Sequence, residues 1–300
     1  MTTHVVDVAS PLRARSVLHA GDSATGTSLG GAAWSETQQY LVHPDGSTVA
    51  VEDVAPQLAG PSWALSVALD FAGVHGLAAK EGTTSVDGRA CRLWRTFEPV
   101  DAGPLRPATG GDSALSCVTA GGVLVQDAWT IKGDLVRRRT LTSKGIGPSL
   151  AGNGLFAGQA PTPVPSGQPP ESVKEVGVPT LVTALGIPVP AAPLGLPAGR
   201  SVAIIQADPS GAGIAVEGGV FSWYDGDRAV ILRIERGLTR PLSVGPAGVA
   251  LSAGARTVRV QAVASGLTVR FAGPAGLVAT VTANVPADQL LAWVGTIALG

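Results

Sequence analysis

Cys91 and Cys117 are the residues of this 300-residue chain whose type and spacing most directly suggest chemistry. Neither belongs to a C-x-x-C pair, so the spacing does not predict a metal site. Both lie in strand-like segments that one long connection separates, and we favour a disulfide because neighbouring strands would bring them within reach. Two buried, reduced thiols that pack as small hydrophobic side chains are the alternative. The bond would contribute about 3 kcal/mol through loop closure and would indicate an oxidising compartment.

The histidines are the next candidates for chemistry, and their sequence context does not place a base beside a nucleophile. The chain contains no G-x-S-x-G elbow, and the glycine-rich stretch GTSLGG lacks the lysine of a P-loop. A Ser-His-Asp set can assemble from any order along a chain and so remains an alternative. We therefore expect a protein that is not an enzyme and that needs no cofactor and no metal. The histidines are His4, His19, His43 and His75.

The six tryptophans outnumber the five phenylalanines, which indicates large ring surfaces in cores or in cavity walls. Trp94 and Trp129 lie in neighbouring predicted strands, where they are placed to line an apolar cavity. Alternation puts Leu93 and Trp94 on opposite faces, so both cannot point into one pocket. Packing in a core is the alternative for most of these rings. The residues expected at an apolar ligand site are Phe71, Leu93, Trp94, Phe97, Leu124, Trp129, Ile131 and Leu141.

Composition limits the elements that can position these residues. The chain has 45% hydrophobic and only 14% charged residues, with 40 glycines and 23 prolines, which favours many short strands and turns. No window has the length of uninterrupted apolar sequence that a membrane span needs. The net charge of -1 gives no basic footprint for nucleic acid, and the run Arg137 to Arg139 is interpreted as a solvated strand.

The first half of the chain is predicted to consist mainly of antiparallel strands. A Pro-Asp-Gly turn at 44–46 joins two strand-like runs into a hairpin, and Gly122 and Gly133 mark the tips of a later meander. The segment PSWALSVALDFAGVHGL fits both the helical and the strand period and stays ambiguous. In the central meander strand, alternation puts Val123, Val125, Trp129 and Ile131 on one buried face, with Asp127 as the exception.

The second half divides into a proline-rich part and a strand-rich part. Residues 161–200 hold ten of the 23 prolines and are predicted to connect domains 1–160 and 201–300, with a short structured piece around 172–185. Strands return after residue 200. The chain closes with a helix in which Pro286 suits the first turn and Leu290, Val294 and Ile297 share a stripe. This pattern predicts an α+β fold that is mostly antiparallel β.

Two stretches, EGTTSVDGRACRLWRTFEP and VLVQDAWTIKGDLVRRRTLTSKGIGPSLAGNGLF, resemble the LolA-like lipoprotein-carrier superfamily. The C-terminal third, including GLVATVTANVPADQLLAWVGTI, is similar to the small domain of RseB-type sigma-factor regulators. The resemblance covers roughly residues 36 to 156 and 200 to 298, mostly through glycines and apolar positions. The matching residues of the first part are Val86, Gly88, Arg89, Val123, Leu124, Gly133, Leu141, Pro148 and Phe156.

The resemblance implies an N-terminal half-barrel sheet, curved around helices and enclosing an apolar cavity for acyl chains, followed by a smaller antiparallel sheet domain with a C-terminal helix. It carries over no catalytic residues. It implies a place outside the cytoplasm, in the periplasm or cell envelope, although the first residues show no secretory signal. The implied partners are a lipid or acylated lipoprotein and a membrane-bound anti-sigma factor, in a sensing or regulatory role.

The sequence leaves two hypotheses about function. The leading one is a non-catalytic extracytoplasmic binding protein for an apolar ligand, a lipid or a lipoprotein acyl chain, since each buried methylene contributes about 0.8 kcal/mol without any catalytic group. The alternative is a structural or protein-interaction module of the cell envelope that has no ligand cavity.

Overall fold

The structure is a computed structural model that describes residues 2–10, 12–23, 25–35, 38–53, 58, 64–140, 172–207, 214–237 and 242–300. Within these ranges the strands form three antiparallel sheets, and three α-helices accompany them. The predicted α+β class with mostly antiparallel strands is confirmed. The sheets are open, and the largest of the three lies in the C-terminal half.

The first sheet is a meander of neighbouring strands in chain order. Its predicted hairpin at 44–46 is confirmed: Ser47 donates its backbone N–H (2.9 Å) and its hydroxyl (2.7 Å) to the Asp45 carboxylate, and Gly46 has the positive φ of 85° that the turn requires. The strands are β1 (Thr2–Ser10), β2 (Arg13–Ala20), β3 (Ser28–Trp34), β4 (Gln38–Val42) and β5 (Thr48–Asp53).

A helix precedes the second sheet and resolves the ambiguous segment. This helix, α1 (Ala64–Val74), buries Ala64, Leu65, Ala68, Leu69 and Ala72, a spacing of three to four residues that only a helix brings to one face. The strands after it have the order β10-β9-β8-β7-β6, and the meander predicted from the turns at Gly122 and Gly133, β8 to β10, is confirmed. They are β6 (Ala79–Val86), β7 (Arg89–Thr96), β8 (Ser113–Val118), β9 (Leu124–Ile131) and β10 (Asp134–Thr140).

The third sheet has the strand order β11-β12-β13-β14-β18-β17-β16-β15. Strands β15 to β18 form a meander within it, and the last of them, β18, pairs with β14. The helix α2 (Val178–Leu185) comes directly after the edge strand β11. The strands are β11 (Ser172–Glu175), β12 (Ala198–Ala207), β13 (Ile214–Asp225), β14 (Arg228–Arg236), β15 (Val249–Ala253), β16 (Arg256–Val263), β17 (Gly266–Ala272) and β18 (Leu277–Ala283).

The structured piece predicted around 172–185 is confirmed, because β11 and α2 occupy it. β11 pairs with β12, so this part of the proline-rich segment belongs to the third sheet. Residues 161–171 of the segment and the boundary at 160 lie outside the described residues. The division into two domains at this segment stays a prediction.

The closing helix is α3 (Ala287–Val294), as predicted. Pro286 is the residue just before the first helical turn, and Asp288 lies within that turn, where its charge complements the helix dipole. Leu290, Val294 and Ile297 are buried, which confirms the predicted stripe, although Ile297 lies beyond the end of the helix.

One large hydrophobic core joins residues from both halves of the chain. The helix α1 packs against β16 and β17 of the third sheet, and Trp94 of the second sheet belongs to the same core. Leu105 also donates its backbone N–H to the carbonyl oxygen of Ala262, at 2.8 Å. The second sheet, α1 and the third sheet are therefore packed together as layers.

Candidate functional site

The two faces of β7 separate the residues that were expected to form one apolar site. Trp94 is buried and packs on α1 so closely that a Cβ at Gly73 would lie 2.9 Å from the indole ring. Leu93 packs on the opposite side, against the cluster of Cys91, Cys117 and Val125. The prediction that Leu93 and Trp94 face opposite ways is confirmed.

The remaining predicted residues are spread over the second sheet and α1. Phe71 is buried in α1, Leu124 packs against the main core, and Trp129 and Ile131 are half-buried on β9. The Arg106 guanidinium lies over the Phe97 ring, with its Cζ atom 4.7 Å from the ring centroid. Leu141 lies outside the described residues. Contact of any of these residues with a ligand stays a prediction.

The disulfide joins Cys91 and Cys117, whose Cα atoms are 5.4 Å apart on the neighbouring strands β7 and β8. Both cysteines are buried, and Val125 is fully enclosed beside them. The predicted bond is confirmed, and the alternative of two reduced thiols is not what the structure contains. A disulfide agrees with an extracytoplasmic location.

The predicted face of β9 is wrong in one respect. The register of β8 and β9 shifts between Cys117 and Val118, which marks a β-bulge. Val125 therefore packs with the cysteines, while Asp127 and Trp129 pair with Ser116 and Ala114 and face the other way. A bulge inverts the alternation of side chains, and strand periodicity alone does not predict it.

Asp127 is the centre of a network of charges on this second face. Its carboxylate is fully buried and accepts hydrogen bonds from Arg139 Nε (3.0 and 3.1 Å), from Arg139 Nη2 and from Arg137 Nη2 (3.2 Å). Asp101 accepts from the same two arginines at 2.7 to 3.2 Å. The interpretation of residues 137–139 as a solvated strand is thus wrong for two of the three arginines, which are paired and half-buried.

The network makes the contribution of Asp101 to folding stability depend on pH. Burial on its own would raise the pKa of the Asp101 carboxyl, but hydrogen bonds from Arg137 and Arg139, together with their charges, outweigh burial and hold this pKa below its ordinary value. A carboxyl whose pKa is lower in the folded state contributes stability above its unfolded pKa, about 3.9, and that contribution is lost as the pH falls through the folded pKa.

We expect Asp101→Asn to lower the free energy of unfolding at pH 6 by less than about 1 kcal/mol, because the side chain is partly exposed. The difference from the parent protein should become smaller as the pH falls below about 3.9 toward the folded pKa of Asp101. Urea unfolding of both proteins at pH 6 and near pH 3 measures this. An equal difference at both pH values would contradict it.

A cleft of about 320 Å³ lies between α1 and the start of α3, and Phe71 is one of its walls. Val67 and Val74 continue the apolar surface along α1, and Val74 is 83% exposed. The His75 ring lies 4.4 Å from the Phe71 ring, centroid to centroid. Two exposed carboxylates stand at the rim, Asp70 on α1 and Asp288 on α3.

Phe71 is the residue that this cleft shares with the ligand site predicted from the sequence, and the other residues of the cleft were not predicted. Val67, Phe71 and Val74 are spaced as on one side of a helix, a signal that was present once the segment was assigned as helical. The residues contributed by α3 lie more than 200 positions away, and only the folded chain brings Ala287 and Asp288 to α1.

An apolar face on the first sheet was also missed. The register places Val6, Ser16, Ala32 and Leu41 in one row across β1 to β4, on the same side of the sheet. Val6 is 49% and Leu41 48% exposed, and Leu18, two residues beyond Ser16, is 38% exposed. Exposed apolar side chains gathered in one place are typical of a contact surface.

Among the described residues, His, Cys, Asp and Glu side chains do not gather into a group of three or more that would hold a metal ion. The helices in this part of the chain also lack the combination of length and apolar sequence that crossing a membrane requires. The described chain is thus an α+β protein of open antiparallel sheets, with an apolar cleft and an apolar sheet face as its candidate binding surfaces.

No protein-family model and no curated protein matches the sequence. Similar solved structures include the MucA/MucB complex of Pseudomonas aeruginosa, at 17% identity and a TM-score of 0.26, covering 96% of this chain and 83% of that chain. Another is MucB in complex with MucA(peri), at 18% identity and a TM-score of 0.25, covering 96% and 88%. A third is MucB, at 15% and 0.25, covering 96% and 82%.

An identity and a structural overlap of this size carry no argument about function. The function of this chain is therefore inferred from its topology and from the clefts between its elements.

Proposed function

We propose that this chain is a non-catalytic extracytoplasmic protein that binds an apolar ligand, an acyl chain of a lipid or lipoprotein, in the cleft between α1 and α3. The main support for the proposal is the cleft itself, which has a volume of about 320 Å³ and is lined on the α1 side by the apolar residues Val67, Phe71 and Val74. Ligand sites are typically mostly apolar clefts of roughly 300 to 1,000 Å³. Each methylene that enters such a cleft contributes about 0.8 kcal/mol, so a chain of several carbons binds without any reacting group.

The charges at the rim narrow the choice of ligand. Asp70 and Asp288 both line the cleft and are exposed, so a free carboxylate at the same end of the ligand would meet two like charges. An acyl chain in ester or amide linkage carries no such charge. The rim therefore favours a lipid or lipoprotein chain over a free fatty acid.

The regulatory part of the proposal is that a bound chain alters contact with a membrane-bound partner, such as an anti-sigma factor. Its support is the resemblance of the sequence to RseB-type sigma-factor regulators. The cleft offers a physical route, because α1 and α3 both belong to the main core and a ligand between them contacts both.

We expect Val74→Glu to weaken binding of an uncharged apolar probe, N-phenyl-1-naphthylamine, about tenfold, since the ligand would have to desolvate a carboxylate. Val74 is so exposed that the fold should tolerate the change. Fluorescence titration measures the affinity, and native mass spectrometry after mild purification shows whether a lipid accompanies the chain.

Val189→Glu is the matched control, because Val189 is 63% exposed and does not line the cleft. It should leave the probe affinity unchanged. Equal probe binding by the parent protein and Val74→Glu would rule out the cleft as the ligand site.

The second candidate is a protein-interaction module without a ligand cavity, and the apolar face of the first sheet favours it. In that case the chain binds no probe and carries no lipid, whereas Leu41→Glu abolishes association with the partner. Probe titration therefore separates the two functions.

A further inference from the structure

A second cleft, of about 610 Å³, lies at one end of the third sheet, away from α1. The end of α2, the end of β14 and the turn between β17 and β18 form its walls. The residues that matter for its chemistry are Leu185, Arg236, Leu242, Pro274, Leu277 and Leu299.

The floor of this cleft is hydrocarbon. Leu185, Leu277 and Leu299 are 1%, 5% and 4% exposed, so their side chains are packed in the main core and offer only a fixed inner surface. Pro274 and Leu242 add apolar surface nearer the opening. A ligand that reaches this floor must present an apolar part to it.

Arg236 has the charged side chain among the described residues that line the cleft, which also include Gly300. It lies opposite Leu277 in the register of β14 and β18, and its Nη2 donates to the carbonyl oxygen of Leu185 at the end of α2. This contact fixes the guanidinium at the wall and uses one of its five N–H donors. The ion pairs formed among the described residues do not include Arg236.

The turn that forms the other wall has a defined conformation. Ala275 and Gly276 have φ values of 51° and 75°, both positive as in a type I′ turn, and the buried Leu277 that comes next anchors the turn in the core. The cleft is thus bounded by the ends of α2 and β14 on one side and by this turn on the other.

We propose that this cleft binds a single-chain amphiphile with an anionic head group, whose tail lies on the leucines and whose head group accepts hydrogen bonds from Arg236. A guanidinium presents paired donors that match a carboxylate or phosphate. The carboxylates at the rim of the α1–α3 cleft disfavour the same ligand there, so the two clefts differ in the head group that they accept, uncharged in the first and anionic in the second. The inference does not rest on the proposed function.

The test compares three probes with the same tail, below their micellar concentrations: dodecanoate, dodecanol and dodecyltrimethylammonium. Isothermal titration of the full chain should show dodecanoate binding at least about tenfold more tightly than dodecyltrimethylammonium, because one charged hydrogen bond is worth about that factor. Arg236→Gln should weaken dodecanoate about tenfold and leave dodecanol unchanged, and Arg236→Lys should lose less.

Arg228→Gln is the control, since Arg228 lies on the same strand with a side chain that is 52% exposed, outside the cleft. It should not change dodecanoate binding. If Arg236→Gln does not fold, Leu242→Glu places a carboxylate at the cleft and should weaken dodecanoate by at least the same factor. The proposal is overturned if dodecanoate binds no better than its cationic analogue, or if neither variant weakens it.

Val74→Glu keeps the outcome separate from that of the α1–α3 cleft. It should leave dodecanoate binding unchanged while it weakens the uncharged naphthylamine probe. If Arg236→Gln does not weaken dodecanoate binding while Val74→Glu weakens naphthylamine binding, the present inference fails and the proposed function stands. If Val74→Glu does not weaken naphthylamine binding while Arg236→Gln weakens dodecanoate binding, the proposed function fails and the present inference stands.

Discussion

Replacing Asp127 by alanine should lower the free energy of unfolding by about 3 kcal/mol, one of the largest effects expected of any single polar residue in the second sheet. The carboxylate is fully buried and accepts hydrogen bonds from Arg137 and Arg139. Its removal leaves two half-buried guanidinium groups beside each other, and among the described residues Asp101 is the carboxylate that they then share. Breaking a buried pair costs about 3 to 5 kcal/mol, and the partial exposure of both arginines places the value at the lower end.

Urea unfolding followed by circular dichroism measures the loss. Asp134→Ala is the control, because Asp134 begins β10, the strand of the two arginines, and is exposed, so its removal should change stability by less than about 0.5 kcal/mol. The double variant Asp127→Ala with Arg139→Ala should lose less than the sum of the two single variants, since the partners are coupled. Strict additivity would show that the contact between them does not stabilise the fold.

Removal of the disulfide is the second large effect. Replacing both Cys91 and Cys117 by alanine should lower the free energy of unfolding by about 3 kcal/mol, because the bond closes a loop over a sequence separation of 26 residues and the unfolded chain loses that restriction. The cysteines are buried beside Val125, so part of the loss also comes from a small cavity.

Chemical denaturation with and without a reducing agent separates these contributions. Reductant should destabilise the parent protein and leave the double variant unaffected. The control is Ser85→Ala on β6. Ser85 is exposed, so this substitution should leave the free energy of unfolding unchanged. If reductant affects the parent protein and the double variant alike, the bond does not account for the stability.

Local turn chemistry could be predicted well from the sequence. Asp-Gly at 87–88 and Lys-Gly at 132–133 adopt positive φ values of 48° and 75°, and of 51° and 92°, as tight hairpin turns require. The meander order of β8 to β10 could be derived from the turns at Gly122 and Gly133. Such features depend on a few neighbouring residues, so a single sequence contains the information.

Features that depend on distant residues could not be predicted in the same way. The bulge near Val125 arises from how β8 and β9 pair, and the burial of Asp127 arises from arginines on the next strand. The helical state of α1 was ambiguous because its apolar positions fit two periods, and packing against β16 and β17 determines the outcome. The α1–α3 cleft is formed by residues more than 200 positions apart in the sequence, and no local pattern predicts that these two helices lie side by side.

The shared core has a further consequence for the molecule as a whole. Leu65 and Leu69 of α1 occupy the same core as Val269 and Phe271 of β17, so neither half buries its apolar surface without the other. Heat or denaturant that loosens one half exposes the inner surface of the other. The two halves are thus expected to unfold as one cooperative unit. A fragment that ends within the proline-rich segment would lack the core residues that the other half contributes.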